Sequence, residues 1–347
     1  MIKVLVVDDS AFMRRLFTNT INEDKELKVI DTARNGKKAL EKIKELQPDV
    51  ITLDVEMPVK DGIKTLKKIA ESENPVPVIM VSALDNRDTV MEALDLGAFD
   101  FIPKPSGSIS LNIDDIKDQL LKKIKTAARC RDQKICKKTK STPKIKQIKQ
   151  SPKYFSKKDY PVIAIGCSSG GPRALKELLI ALPGNLPAAL TVVQHMPPGF
   201  TTSLASRINQ EAAINVREAK EGDKLTPGLA LIAPGDYHME INDNGRVKLN
   251  QKPAKWGVRP SVDYMLNSLA KIYQDNLIGV ILTGMGHDGA EGMTKLKKHN
   301  GYGIVEDKST ALVYGMPSAT IEAGAYDIIL PLPQIPAKII EILERRS

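Results

Sequence analysis

The chain has 347 residues, 42% of them hydrophobic and 4% aromatic, with a formal net charge of +9. That length suffices for two domains with separate cores. No apolar run reaches the ~18 residues of a membrane span, and Met1 leads into a strand-like KVLVV rather than a signal peptide. Three cysteines, Cys130, Cys136 and Cys167, form an odd set without zinc-type spacing, which argues against a disulfide framework and suits a reducing cytoplasm.

Along residues 1–120, short apolar runs alternate with amphipathic stretches: KVLVVDD, AFMRRLFTNTI, VIDTAR, KKALEKIKEL, DVITLDVEMP, TLKKIAE, PVIMVSAL, TVMEALDLGA and FDFIPKP. Five strands alternating with helices predict an α/β domain of flavodoxin-like type, an open parallel sheet with helices on both faces. Sites in such sheets form beyond the carboxyl ends of the strands. Asp8 and Asp9 end the first strand, Asp54 the third, Ser82 the fourth and Lys104 the fifth. Alone, Asp8-Asp9 would serve as a turn or a helix cap. At successive strand ends, three carboxylates repel one another, and a hard divalent cation such as Mg²⁺ relieves that repulsion while leaving room for phosphate. A hydroxyl and an ammonium aimed at the same place suit phosphoryl oxygens, and Asp54 is placed to accept a phosphoryl group as an acyl phosphate. Lys104-Pro105 is a candidate cis bond.

This set resembles the response-regulator receiver family across residues 1–120. The resemblance implies that Asp54 is the phospho-acceptor, that Asp9 binds Mg²⁺ together with the Glu56 carbonyl, and that Ser82 and Phe101 move on phosphorylation. Phe101 stands where the family more often has Tyr, so no hydroxyl reports the switch.

Residues 121–158 contain 15 Lys or Arg and one acidic residue, a net +14, so the rest of the chain carries −5. The basic character belongs to one segment, which weakens a nucleic-acid reading. KKTKSTPKIKQIKQSPKYFSKK has little apolar periodicity, and residues 121–159 read as a basic flexible linker. Its beginning still carries helical spacing at Ile116, Leu120, Ile124 and Ala127, so the first domain ends in that helix.

From residue 160 the α/β rhythm resumes with PVIAIGC, AALTVVQH, LALIAPG, LIGVILTG, YGIVED and DIILPL. This predicts a second doubly wound α/β domain over 160–347. HMEINDNGRVKLNQ, with Asn244-Gly245 between two alternating runs, predicts an inserted β-hairpin.

The segment GCSSGG lacks the Lys and Ser/Thr of a phosphate loop and the G-x-G spacing of a dinucleotide site. Gly166-Cys167-Ser168-Ser169-Gly170 fits G-x-S-x-G between strand and helix, a nucleophile elbow, although a plain strand–helix turn would look similar. Ser168 is the nucleophile of that reading. Cys167, as the last strand residue, points into the sheet as a small hydrophobe. Of four histidines, His299 falls in a polar helix and His238 in the hairpin arm, whereas His195 ends the strand next to the elbow and is the candidate base. Asp288, in TGMGHDGAEG after another strand, is the candidate orienting acid, with Asp236 and Asp263 as rivals. Gly284, Gly286 and Gly289 are expected to leave N–H groups uncovered for an oxyanion.

IGCSSGGP, QHMPPGFT, IAPGD-x-HME, RPSVD and ILTGMG-x-DG, in this order, resemble the catalytic domain of the CheB family, the chemotaxis protein-glutamate methylesterases, over about residues 160–345. The resemblance implies a Ser168–His195–Asp288 triad, with Ser169 and Met285 lining the oxyanion site; His287 replaces a common Asn. It further implies hydrolysis of glutamate methyl esters and deamidation of glutamines on chemoreceptor helices in the cytoplasm. A chemotaxis histidine kinase would be the phosphodonor, Mg²⁺ would sit at the receiver site, and hydrolysis itself would need no cofactor. Neither a nucleic-acid partner nor membrane insertion is expected. The residues alone reach a serine hydrolase under phosphoryl control. The alternative is a two-domain regulator whose second domain only binds an acidic or nucleic-acid partner, for which no helix-turn-helix or aromatic-basic stripe is present.

Overall fold

The computed structural model describes residues 1–57, 61–83, 85–104, 113–132 and 160–346. The chain divides into two compact units, Met1–Lys137 and Lys138–Ser347. Among the described residues, no helix is long and apolar enough to cross a membrane. Pro105 of the candidate cis bond lies outside the described residues.

In the first unit, β1 (Ile2–Val7), β2 (Leu27–Ala33), β3 (Val50–Asp54), β4 (Val78–Ser82) and β5 (Asp100–Pro103) form one parallel sheet in the order β2-β1-β3-β4-β5. The helices are α1 (Ala11–Asn22), α2 (Gly36–Leu46), α3 (Gly62–Ala70), α4 (Arg87–Asp95) and α5 (Ile113–Asp132). Every residue of β3 and β4 is buried, as expected for strands covered on both faces. Side-chain oxygens of Ser10, Asn35 and Asp61 accept from the first turns of α1, α2 and α3, engaging donors that would otherwise lack partners.

Helix α5 runs to Asp132, through residues 121–132 that composition assigned to the linker. Its apolar spacing explains this: Ile116, Leu120, Ile124 and Ala127 are all buried, as their period predicts. The basic residues on its other faces meet receptive groups of the same unit. Lys123 pairs with Asp100 at 2.9 Å, Lys125 with Asp24 at 2.8 Å, and Arg131 donates to the Pro48 carbonyl at 2.6 Å. The remainder of the expected linker, from residue 133, lies outside the described residues.

The second unit comprises β6 (Val162–Cys167), α6 (Gly171–Ile180), β7 (Ala189–Gln194), α7 (Phe200–Glu211), β8 (Asn215–Glu218), β9 (Leu229–Ile232), β10 (His238–Ile241) and β11 (Val247–Asn250). It continues through α8 (Val262–Tyr273), β12 (Leu277–Ile281), α9 (Ala290–Lys298), β13 (Tyr302–Glu306), α10 (Gly315–Glu322), β14 (Ile328–Leu330) and α11 (Ile335–Arg346). Seven strands form a parallel sheet in the order β14-β13-β12-β6-β7-β9-β8, and β10 and β11 form the separate antiparallel hairpin. Edge strand β8 is an addition to the six predicted strands. It buries only Val216, so it lacks the apolar run by which the others are read.

The connections after β6 and β12 lead to opposite sides of the sheet, to β7 and β13 respectively. This reversal opens a crevice beyond the carboxyl ends of β6 and β12. Residues 168, 195 and 283–289 all follow strands at that edge.

Candidate active site and acidic pocket

The turn after β6 is built by its neighbours. The Ser168 N–H donates to the Thr283 carbonyl at 3.0 Å, and the Gly171 N–H donates to the Ser168 carbonyl at 2.8 Å. Gly170 has φ +78°, a left-handed conformation that disfavours a side chain. At Gly171 a Cβ would lie 2.1 Å from Gln194 Oε1, so only glycine admits that amide. Pro172 occupies the first turn of α6, where its missing N–H costs nothing. Cys167 is fully buried with its thiol 3.1 Å from Gln194 Oε1, and burial followed by the nearby Glu306 charge pushes the thiol pKa up. It is a packing residue here, not a thiolate.

Cys167 pairs with Gln194 in the β6–β7 register, so Ser168 and His195 follow side by side on adjacent strands. The His195 N–H donates to the Cys167 carbonyl at 3.2 Å, and the Gln194 amide donates to the carbonyls of both Ser168 (3.0 Å) and His195 (3.1 Å). The imidazole of His195 places Nε2 2.8 Å from Asp288 Oδ2. Asp288 is buried and also accepts from Ser261 Oγ (2.8 Å), the Val262 N–H (2.6 Å) and the Asp263 N–H (3.0 Å). Burial raises the pKa of Asp288, but His195 and the N–H groups at the start of α8 outweigh it and leave the carboxyl below its ordinary value. A helix N-terminus thus holds the acid ionised.

The rival acids have other partners. Asp236 is bound by Arg259 at 2.6 Å and by Gln251 at 3.0 Å. Asp263 accepts from the N–H groups of Gly289 (3.0 Å) and Gly292 (2.7 Å) and from the Trp256 indole (3.0 Å), so it anchors the loop that carries Asp288. The expectation of three uncovered glycine N–H groups is corrected. The Gly289 N–H is engaged by Asp263 and the Gly284 N–H by the Val313 carbonyl at 2.9 Å. Ser169 is buried and Met285 half-buried beside this turn. His238 is fully buried: its Nδ1 accepts the Ser261 N–H and its Nε2 faces the Pro253 carbonyl, both at 3.2 Å, and burial lowers its pKa. It is neutral, with its proton on Nε2, and it supports Ser261.

In the first unit, Asp8, Asp9 and Asp54 bring carboxylate oxygens within 4.8 Å of one another. Lys104 Nζ lies 2.7 Å from Asp54 Oδ2 and 3.5 Å from Asp8 Oδ2. Among the described residues, Asp8 Oδ2 is buried without a hydrogen-bond partner. Burial, reinforced by Asp8 and opposed by Lys104, pushes Asp54 up to about 6, and burial likewise raises Asp8. Hard oxygen donors crowded around an unsatisfied buried carboxylate fit a divalent cation. The Glu56 N–H donates to Asp54 Oδ1 at 3.3 Å, bringing the Glu56 backbone to the same edge. Ser82 donates to the Ala83 carbonyl at 3.0 Å, and Phe101 is buried with the Lys123 ammonium 5.5 Å from its ring centre.

Comparison with known proteins decides the family. Residues 163–339 match the model of the CheB methylesterase domain, and residues 4–113 match the response regulator receiver domain. The chain is 45% identical over 344 residues to the protein-glutamate methylesterase/protein-glutamine glutaminase of Symbiobacterium thermophilum, covering 96% of this chain and 95% of that one. The chain belongs to the CheB methylesterase family. It is also 43% identical to a Pyrococcus abyssi protein of the same description, covering 99% of this chain and 94% of that one. The crystal structure of the Thermotoga maritima CheB methylesterase catalytic domain matches with a TM-score of 0.52 and 46% identity, covering 53% of this chain and 99% of that chain. In this CheB chain the sequence reading missed Gln194, Ser261 and Thr283. QHMPPGFT, RPSVD and ILTGMG-x-DG contain these residues, but the motifs point first to His195, Asp263 and Asp288.

Proposed function

We propose that the chain is a phosphorylation-activated serine hydrolase that demethylates glutamate methyl esters, and deamidates glutamines, on cytoplasmic chemoreceptor helices. On this reading residues 160–347 carry the hydrolysis and residues 1–120 its control. The observation that carries the reading is the buried Asp288 carboxylate holding His195 Nε2 at 2.8 Å beside the Ser168 turn. With Nε2 engaged, Nδ1 is the ring nitrogen left to take the Ser168 proton. Ser168 Oγ attacks the side-chain carbonyl carbon, His195 takes the proton, and Asp288 stabilises the imidazolium. His195 then protonates the departing methanol or ammonia. Water, deprotonated by His195, attacks the acyl-enzyme, releases the glutamate carboxylate and restores Ser168. Ser169 and Met285 would line the site where the oxyanion develops.

For control, Asp54 would receive a phosphoryl group from a chemotaxis histidine kinase. Mg²⁺ held by Asp8, Asp9, Asp54 and the Glu56 carbonyl would neutralise charge on the phosphoryl oxygens. Lys104 would bind the same oxygens, while Ser82 and Phe101 would shift with them. Methanol release from methyl-labelled receptor membranes, with and without acetyl phosphate, tests the reading. Release that rises with the phosphodonor is expected; none under either condition would exclude the esterase assignment.

A further inference from the structure

Behind the Ser168 turn lies a carboxylic acid that the mechanism above does not use. Glu306 ends β13 and is fully buried. Its Oε2 accepts the Thr283 N–H at 2.7 Å, and its Oε1 is sealed from solvent with no hydrogen-bond partner among the described residues. It forms no ion pair among those residues. A buried carboxylate with one unsatisfied oxygen and no cation is costly, and an apolar side chain would fill a strand end of this kind more cheaply.

What Glu306 holds is the brace of the turn. Thr283 accepts the Ser168 N–H on its carbonyl at 3.0 Å. Its hydroxyl donates to the Ser169 carbonyl at 2.9 Å and accepts the Val313 N–H at 2.9 Å. A single residue therefore fixes both the nucleophile and its neighbour, and the backbone of that residue is fixed by Glu306. We propose that Glu306 is a positioning residue for acyl transfer: through Thr283 it holds the Ser168-Ser169 turn, and taking up a proton loosens that hold. A carboxylate accepts an N–H more strongly than a neutral carboxyl does, so the ionised form keeps Thr283 most firmly in place. The inference rests on Ser168 being the nucleophile.

The surroundings make this proton exchange accessible near neutrality. Burial is the main cause that pushes Glu306 up to about 7, and the charges of Glu177 on α6 and Asp307 in the following loop act in the same sense. The Thr283 N–H and the Thr310 hydroxyl favour the charged form, the latter without a proper hydrogen bond. Cys167 faces it from β6, Arg173 lies near Glu177, and β12 and β14 (LIGVI and IIL) contribute no titratable side chain.

The test compares full-length wild type, Glu306→Gln, Glu306→Ala and Ser168→Ala in receptor demethylation between pH 5.5 and 8.5, with melting temperatures at both ends. Gln mimics the neutral acid. Glu306→Gln should therefore match wild type at pH 5.5 and fall about fivefold behind it in kcat at pH 8.5, with KM unchanged. The stability sign is the opposite. A carboxyl whose folded pKa is raised loses stability as pH climbs from its ordinary value through about 7. Glu306→Gln should therefore melt somewhat above wild type at pH 5.5 and further above it at pH 8.5, so stability rises where kcat falls, an opposition that a merely structural role would not produce. Glu306→Ala should lose about tenfold in kcat at every pH; if it does not fold, the Gln comparison decides alone. A kcat ratio that stays flat with pH while Ser168→Ala is dead would overturn the role of Glu306 only. An active Ser168→Ala would overturn the nucleophile and this inference together.

Discussion

Ser168 and Cys167 are adjacent nucleophile types, and the structure separates them by environment. Ser168 is half-buried at the sheet edge, while Cys167 is fully buried, with its thiol directed at Gln194. Ser168→Ala should lower kcat by several orders of magnitude, as triad losses do, whereas Cys167→Ala should retain most of it. A dead cysteine variant beside an active serine variant would reverse the assignment. A second prediction concerns Ser261, whose hydroxyl is one of four donors to Asp288. Removing it leaves the two backbone N–H groups and His195 in place. Ser261→Ala should therefore keep its fold and KM and lose at most roughly ten- to a hundredfold in kcat, since a hydrogen bond to a charged group contributes about 1.5–3 kcal/mol. Unchanged turnover would show that the helix N-terminus alone orients the acid. The candidate triad was legible because serine, histidine and aspartate stand at strand ends, where little else explains them. Gln194, Thr283 and Ser261 were not, because their work is hydrogen bonding to the backbone of other segments, and no spacing along the chain records that.

At the scale of elements, apolar period decided what could be read. Strands β1, β3, β4, β6, β7 and β12 are buried runs rich in Val, Ile and Leu. Asn244-Gly245 marked the hairpin through a residue that adopts φ +70°. β8 escaped because an edge strand with one buried residue has no run to find. Helix α5 shows two signals in competition: composition assigned residues from 121 onward to a linker, while the spacing of Ile124 and Ala127 kept them in a helix. Periodicity prevailed, since burial depends on which face a residue occupies and not on the charge of the opposite face. Ile124 is fully buried near the middle of that helix. Ile124→Ala should destabilise the first unit by about 2–5 kcal/mol through lost burial and the cavity left behind, measured by chemical denaturation followed by circular dichroism. A loss below about 0.5 kcal/mol would place α5 outside the cooperative core.

For the whole molecule, the net charge of +9 is misleading until it is located. Up to residue 132 the basic side chains of α5 are partly neutralised by Asp24, Asp49 and Asp100 of their own unit. On the proposed function, the charge that would govern activity is a single group added at Asp54. There the carboxylate is buried, Asp8 and Asp9 crowd it, and Lys104 is its one close cation among the described residues. A phosphoryl group would bring roughly −1.5 to −2 charges into that pocket, so Lys104 and any cation held there would reorganise around it. Coupling between two sites through such a switch is typically 1–3 kcal/mol, which corresponds to roughly 5–150-fold in activity. Acetyl phosphate with Mg²⁺ should therefore raise methanol release by wild type within that range. Asp54→Asn keeps the size of the side chain and removes the oxygen that would be phosphorylated, so it should remain at the resting rate under the same conditions. Adding EDTA to the wild-type reaction should also abolish the increase while leaving the resting rate intact, because on the proposed function the metal would serve phosphorylation and not the hydrolysis. Should Asp54→Asn respond to acetyl phosphate as wild type does, the controlling group is a different residue, and the acidic pocket has another use.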